Sequence, residues 1–248
     1  MSGGRLLRDE VPAAFDRHAA AYDRLVGANP GYHADLRRAA RAFALPAGGA
    51  GARLLDAGCG TGASTAALVA TAPRAQIVGV DASAGMLARA RAKPWPATVR
   101  FVEGLVQDLS AEDLGGPFDG VFAAYLLRNL PARDAAPAAL RSLLRPGGVL
   151  VVHDYALRDG PVARLVWHAV CWGVIIPAGR LLTGDAGLYR YLWRSALDFD
   201  SPEALAGRLR RAGFTGVRTR TAGGWQRGIV HTFRAEAPGA NGARERSV

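Results

Sequence analysis

At 248 residues, half of them apolar and 21% charged, the chain is long enough for one α/β domain with insertions, and its balance excludes a disordered polymer. The formal charge of +10 invites a nucleic-acid or anionic-membrane partner, but Lys93 is the only lysine among 31 basic residues. Scattered arginine with abundant alanine is what a GC-rich genome produces, so no nucleic-acid partner is expected.

Residues 1–45 read as a helical cap, with Phe15, Tyr22 and Leu25 at helical spacing, a break at Asn29-Pro30-Gly31 and a second helix to Leu45. Met1 to Phe15 carries no long apolar run of the secretory kind. After a linker over Pro46–Gly51, strands and helices alternate. Strands are expected over Ala52–Asp56, Gln76–Asp81, Thr98–Val102, Phe118–Ala124 and Val149–Asp154. Helices are expected over Ala63–Thr71, Ala84–Ala92 and from the fourth strand to Leu144, before a turn at Arg145–Gly148. This alternation predicts a Rossmann-like α/β doubly wound parallel sheet over residues 46–235. An apolar stretch, Pro161–Leu182, interrupts it as an insertion covering about 160–200. A helix over Tyr189–Leu197, a helix over Pro202–Ala212 closed by Gly213, and strands over Phe214–Arg220 and Gly228–Ala235 complete the domain. Residues 236–248 read as a disordered tail. Cys59 and Cys171 make no disulfide or metal pattern, so a reducing cytoplasm and no metal are expected.

The densest chemical signal is Asp56-Ala57-Gly58-Cys59-Gly60-Thr61-Gly62, where a strand runs through a glycine turn into a helix. Glycines permit a tight turn and close approach of backbone to ligand, and a helix N-terminus favours negative charge. Asp81 ends the next strand nineteen residues after Gly62, where an acid can accept both hydroxyls of a ribose. The alternating glycines depart from the G-x-G-x-x-G pattern of pyrophosphate cofactors. A cofactor with an ammonium and a carboxylate fits better, with Asp56 near the amino end and the turn's N–H groups near the carboxylate.

These segments, with Asp81-Ala82-Ser83 and Leu144-Arg145-Pro146-Gly147-Gly148, resemble the motifs of class I methyltransferases. The resemblance implies a seven-stranded sheet of order 3-2-1-4-5-7-6 with the last strand antiparallel, and S-adenosylmethionine as cofactor, leaving as S-adenosylhomocysteine. Gly58, Cys59, Gly60, Gly62, Ala82, Val106 and Tyr125 would join Asp56 and Asp81 around it, with Met86 packed near the adenine. Leu105 stands where that family often has Asp or Asn, leaving adenine to the Val106 backbone or to Asp108.

Over residues 12–235 the chain also resembles the ubiquinone/menaquinone biosynthesis C-methyltransferases, through Phe15-Asp16, Ala21-Tyr22-Asp23, Leu127-Arg128-Asn129-Leu130, Tyr189-Arg190-Tyr191-Leu192, Ala212-Gly213-Phe214, Gly223-Gly224 and His231. That resemblance implies methylation of the ring carbon of a prenylated hydroquinone such as demethylmenaquinol. Arg128 would order the hydroquinone oxygen, Tyr22 would cover the cofactor, and Asp154 would face the pocket, its neighbour His153 pointing the other way as strand alternation requires. Tyr189, Arg190, Trp167 and His231 would stand on the substrate side, His231 with a structural reading beside it. Histidine and tyrosine around Asp154, and Trp225-Gln226-Arg227, depart from the quinone enzymes. A small-molecule O- or N-methyltransferase of a secondary pathway, and a non-methylating enzyme or binding protein on the same fold, therefore stay open. A base methylase is disfavoured because Ala124-Tyr125-Leu126-Leu127 stands where an Asn-Pro-Pro-Tyr element belongs.

A membrane-spanning helix needs about 20 apolar residues. Arg164, His168, Pro177 and Arg180 interrupt Val162–Leu182, which reads as a lid over the pocket leaning on the membrane surface or as a buried core helix. A peripheral position at the inner face of the cytoplasmic membrane and a homodimer are the accompanying expectations.

Overall fold

The structure, a computed structural model, describes residues 31–130 and 132–239. Its centre is a seven-stranded sheet of β1 (Arg53–Ala57), β2 (Gln76–Asp81), β3 (Val99–Glu103), β4 (Phe118–Ala124), β5 (Leu144–Tyr155), β6 (Thr215–Thr221) and β7 (Val230–Glu236). The order is β3-β2-β1-β4-β5-β7-β6, as the methyltransferase resemblance implies. The first five strands are parallel, and β7 runs antiparallel between β5 and β6. The apolar runs of β1 and β4 are buried on both faces, which a parallel sheet covered on both sides requires. Strand order reverses between β1 and β4, and the crevice at the carboxyl ends there is where such sheets bind ligands.

The helices are α1 (Tyr32–Ala40), α2 (Ala63–Thr71), α3 (Ala84–Arg91), α4 (Ala136–Ser142), α5 (Pro161–Thr183), α6 (Gly187–Leu197) and α7 (Pro202–Arg211). Ser83 and Ser201 cap α3 and α7 by accepting from the Met86 and Ala204 N–H groups. Gly213 ends α7 in the left-handed region at φ 87°.

Three elements differ from the sequence reading. The helix expected from the fourth strand to Leu144 is a 3-10 turn at Leu127–Asn129 followed by the short α4, with Pro137 in its first turn, where the missing N–H does no harm. The turn at Arg145–Gly148 is absorbed into β5, whose pairing with β4 shifts register between Phe118 and Gly120. The helix expected to reach Leu45 stops at Ala40 and tightens into a 3-10 turn before Ala44, itself left-handed at φ 52°. At the other end the Ala237 N–H still donates to the Gly148 carbonyl at 2.8 Å. The remainder of the expected tail, residues 240–248, and the first helix of the cap lie outside the described residues.

The insertion is one 23-residue helix, α5, with π geometry over Cys171–Ile175. Its buried residues are Ala163, Trp167, Cys171, Ile176 and Gly179. The step from Cys171 to Ile176 is one residue longer than the two before it, and the wider π turn absorbs that residue and keeps the inward stripe aligned. Trp167 lies 4.7 Å from Tyr155, centroid to centroid, and its Nε1–H donates to the Trp193 carbonyl at 3.1 Å. Gly179 lets α6 approach: a Cβ there would lie 2.2 Å from the Tyr189 ring. Gly179→Ala should therefore destabilise the protein by about 1–3 kcal/mol through overpacking. Chemical denaturation reads this, and in Tyr189→Ala the same change should cost far less.

Candidate active site

The glycine turn is built by three left-handed residues, Gly58 (φ 70°), Gly60 (φ 54°) and Gly62 (φ 89°). A Cβ on Gly58 would meet Leu126 at 2.8 Å, and one on Gly62 would meet Trp95 at 2.7 Å. Gly60 faces open space, with nothing within 4 Å of such a Cβ. The outer glycines thus let side chains pack against the turn, and the middle one leaves an uncovered backbone surface for a ligand. Leu126 also ties the turn to the segment after β4.

Those backbone groups are not held free for an anion. The Gly58 and Cys59 N–H groups both donate to the Val80 carbonyl, at 2.8 and 2.9 Å, and the Gly62 N–H to the Cys59 carbonyl at 2.9 Å. The Gly60 N–H donates to Asp81 Oδ2 at 2.7 Å, and the Ser83 N–H to Asp81 Oδ1 at 2.9 Å. The fold itself thus engages these four N–H groups of the turn. Asp81 clasps the turn to the end of β2. The thiol of Cys59 is buried and pushed well up by burial, so Cys59 serves through its backbone.

Asp56 lies beneath the turn, fully buried. Its Oδ2 accepts from Ser64 Oγ at 2.8 Å and Thr65 Oγ1 at 2.6 Å, while its Oδ1 has no partner. Burial pushes the carboxyl up to about 7, against the pull of those two hydroxyls. A buried acceptor with an unused oxygen beside an uncovered glycine suits an ammonium-bearing cofactor such as S-adenosylmethionine. Along the rim Met86 is buried, Ala82 is half-buried and Val106 is buried. Leu105 is 43% exposed, the only large apolar side chain outside α5 so exposed among the described residues.

The segment after β4 carries the second half of the site. Tyr125 is a non-glycine residue at φ 56°, a strained conformation of the kind that gathers at functional sites. Its ring stacks on Tyr32 at 5.6 Å and packs on Tyr155 and His153. Its hydroxyl lies 3.3 Å from His153 Nε2, and His153 Nδ1 lies 2.9 Å from Thr232 Oγ1 on β7. Burial lowers His153 to about 3, so its ring is neutral. Tyr125, expected at the cofactor, sits in this aromatic cluster with its ring stacked on Tyr32 of α1.

Arg128 and Asp154 form one unit. Arg128 is 2% exposed and Asp154 is fully buried, and Nη1 lies 3.0 Å from Oδ1. The same Nη1 donates to the Tyr125 carbonyl at 2.9 Å, and the guanidinium lies over the Tyr155 and Tyr125 rings. Burial raises the Asp154 carboxyl, against the pull of the Arg128 guanidinium and two backbone N–H groups. His153 does point away from Asp154, as alternation requires. A solvent-facing Arg128 is ruled out by its burial.

Asn129, which sequence reasoning passed over, donates from Nδ2 to the Tyr125 carbonyl at 3.1 Å and accepts from the Tyr191 hydroxyl at 3.1 Å. The Leu-Arg-Asn and Tyr-Arg-Tyr-Leu segments are therefore joined. Arg190 in the second is exposed. Tyr189 is fully buried over Gly179 and Trp167 is 1% exposed, so both anchor α5 rather than line a mouth. His231 pairs in register with Asp154, its Nδ1 has no partner, and burial lowers its pKa. Tyr22 lies outside the described residues.

With this geometry in place, the sequence matches the model of the ubiE/COQ5 methyltransferase family over residues 7–235. It is 36% identical over 203 residues to a demethylmenaquinone methyltransferase of Thermus thermophilus, covering 81% of this chain and 91% of that one. It is 33% identical to the demethylmenaquinone methyltransferase of Clavibacter sepedonicus, covering 92% and 94%. Among solved structures it superposes on the [4+2]-cyclase SpnF with a TM-score of 0.67 at 18% identity, covering 94% of this chain and 97% of the other. A Haemonchus contortus phosphoethanolamine N-methyltransferase in complex with S-adenosyl-L-methionine gives 0.65 at 17% identity, covering 96% and 60%.

The Asp56 geometry makes a measurable demand. Without ligand its raised carboxyl stabilises the fold in the protonated form, a contribution present below about pH 4 and lost as pH rises through about 7. An ammonium arriving at Oδ1 favours the carboxylate, so binding S-adenosylmethionine at pH 6.5 should release a proton. Titration calorimetry in buffers of different ionisation enthalpy should show this, and Asp56→Asn should abolish the buffer dependence. A buffer-independent enthalpy in the parent would place the amino group elsewhere.

Proposed function

The chain belongs to the ubiE/COQ5 methyltransferase family and is an S-adenosylmethionine-dependent methyltransferase, and from that premise we propose that it C-methylates the ring of a prenylated hydroquinone such as demethylmenaquinol. It does so at the inner face of the cytoplasmic membrane, where such an acceptor is dissolved. The observation that carries the reading is the buried pair of Arg128, after β4, with Asp154 of β5, tied through Leu126 to the glycine turn and through Asn129 to Tyr191 of α6.

When bound, the cofactor supplies an electrophilic sulfonium methyl. Asp81 would hold its ribose, Asp56 its amino group, and Met86, Leu105 and Val106 its base. The acceptor carbon becomes nucleophilic when the neighbouring hydroxyl loses its proton to solvent water; once that carbon has taken the methyl, with the sulfonium electron pair leaving on S-adenosylhomocysteine, the carbon's own hydrogen departs as a proton to water and the aromatic ring is restored. Arg128 stays protonated at any working pH, so it acts by stabilising the phenolate rather than by taking the proton. Asp154 is a positioning residue: it fixes the buried guanidinium and offsets its charge. Holding the ring carbon in line with the methyl is the larger contribution. Tyr22, Arg190 and His231 complete the acceptor side.

The direct test is turnover with a short-chain demethylmenaquinol under reducing conditions, following methylated product by mass. Asp81→Ala should abolish product, and Arg128→Ala should lower kcat by about 10²-fold or more. Cofactor binding without product would assign the acceptor to another chemical class. Stability and chemistry can be separated. Arg128→Met alone should cost about 3–5 kcal/mol by leaving Asp154 buried without its cation. Arg128→Met with Asp154→Leu should recover most of that stability and none of the activity.

A further inference from the structure

Of the large apolar side chains exposed among the described residues, all but Leu105 belong to α5: Val162 (73%), Leu165 (69%), Trp172 (49%), Val174 (62%), Leu181 (88%) and Leu182 (46%). The helix is long and apolar enough to cross a membrane, yet only 22% of its most apolar stretch is buried in the fold. Its inner face is fastened. Trp167 is held by Tyr155 and the Trp193 carbonyl, and Gly179 is pressed on Tyr189. A helix pinned along its length to a soluble domain cannot cross a bilayer, but it can lie on one.

Charge selects the kind of surface. Between Gly160 and Leu197 the chain carries Arg164, Arg180, Arg190 and Arg194 against a single acid, Asp185. Arg180 is exposed on α5 itself, and Arg190 and Arg194 are exposed on the adjoining α6. Asp159 stands just before the helix. Exposed leucine, valine and tryptophan beside arginine match a leaflet with anionic headgroups.

We propose that the outward face of α5 docks the enzyme on an anionic lipid bilayer, with Leu165, Trp172, Val174 and Leu181 entering the headgroup region and Arg180 meeting lipid phosphates. The π turn serves the docking. By realigning the inner stripe after Cys171 it keeps both halves of the helix anchored, so that one continuous apolar face is presented outward. The proposal rests on the quinol reading only for its purpose, since an acceptor dissolved in the bilayer must reach a site beneath α5.

The test uses the full chain and vesicles without any quinol, so it fails or succeeds apart from turnover. The protein should sediment with phosphatidylcholine vesicles containing phosphatidylglycerol, less with pure phosphatidylcholine, and less at high salt. Lipids brominated near the headgroups should quench Trp172, with Trp172→Phe removing that component. Leu165→Glu with Leu181→Glu should lower partitioning at least about tenfold, while affinity for S-adenosylmethionine and the melting temperature stay unchanged. A parent protein that does not partition would overturn the proposal. So would one that sediments as a dimer dissolved by the double variant, because a second copy would then cover the face. Equal binding to both vesicle types would overturn the electrostatic half.

Discussion

Three carboxylates stand at the carboxyl ends of parallel strands, and removing them from water is the constraint that shapes the site. Asp56 ends the buried part of β1, Asp81 ends β2, and Asp154 lies near the end of β5. Each is accommodated differently. Asp81, half-buried, takes backbone N–H groups from the turn it orders. Asp56 takes two hydroxyls from the first turn of α2 and is left with one unused oxygen. Asp154 takes a guanidinium. A buried acid needs hydrogen bonds or a paired charge, so the segments supplying those partners are drawn to the same edge of the sheet.

The Arg128–Asp154 pair reaches furthest from this edge. It holds the 3-10 turn after β4, the Tyr125 carbonyl and the face of Tyr155, and Tyr155 in turn packs on Trp167 of α5. Asn129 adds a second line through Tyr191 to α6. The ion pair, the turn after β4 and the helices α5 and α6 are thus one connected set of contacts. A buried ion pair is weak evidence for stability in itself, since its desolvation opposes its attraction. Its value here lies in geometry: it fixes a buried cation against the Tyr125 carbonyl and the face of Tyr155.

The fold alone does not select the reaction. A cyclase and an N-methyltransferase share it at TM-scores of 0.67 and 0.65 with under a fifth of residues identical. Family membership and the residues after β4 narrow the chemistry. Tyr125, His153 and Thr232 form a polar trio in the aromatic wall beside the ion pair.

Much of this was legible before any coordinates. Apolar runs bounded by glycine and proline located β2, β4 and α2 at their observed ends, because both hydrophobic period and turn chemistry are local. The glycine spacing with Asp81 located the glycine turn for the same reason, and the sheet order followed from resemblance. What sequence left open is what depends on contacts between distant residues. That Arg128 points inward follows from Asp154, 26 positions away, and that Asn129 matters follows from Tyr191, 62 positions away. The engagement of the Gly58, Cys59 and Gly60 N–H groups was not legible because their acceptors, Val80 and Asp81, lie on another strand. The apolar composition of α5 could mean core, lid or membrane, and only packing shows which face is spoken for. Local sequence sets backbone conformation and period, whereas the partners of buried polar groups and the exposure of apolar ones are set by which distant segments the sheet brings together.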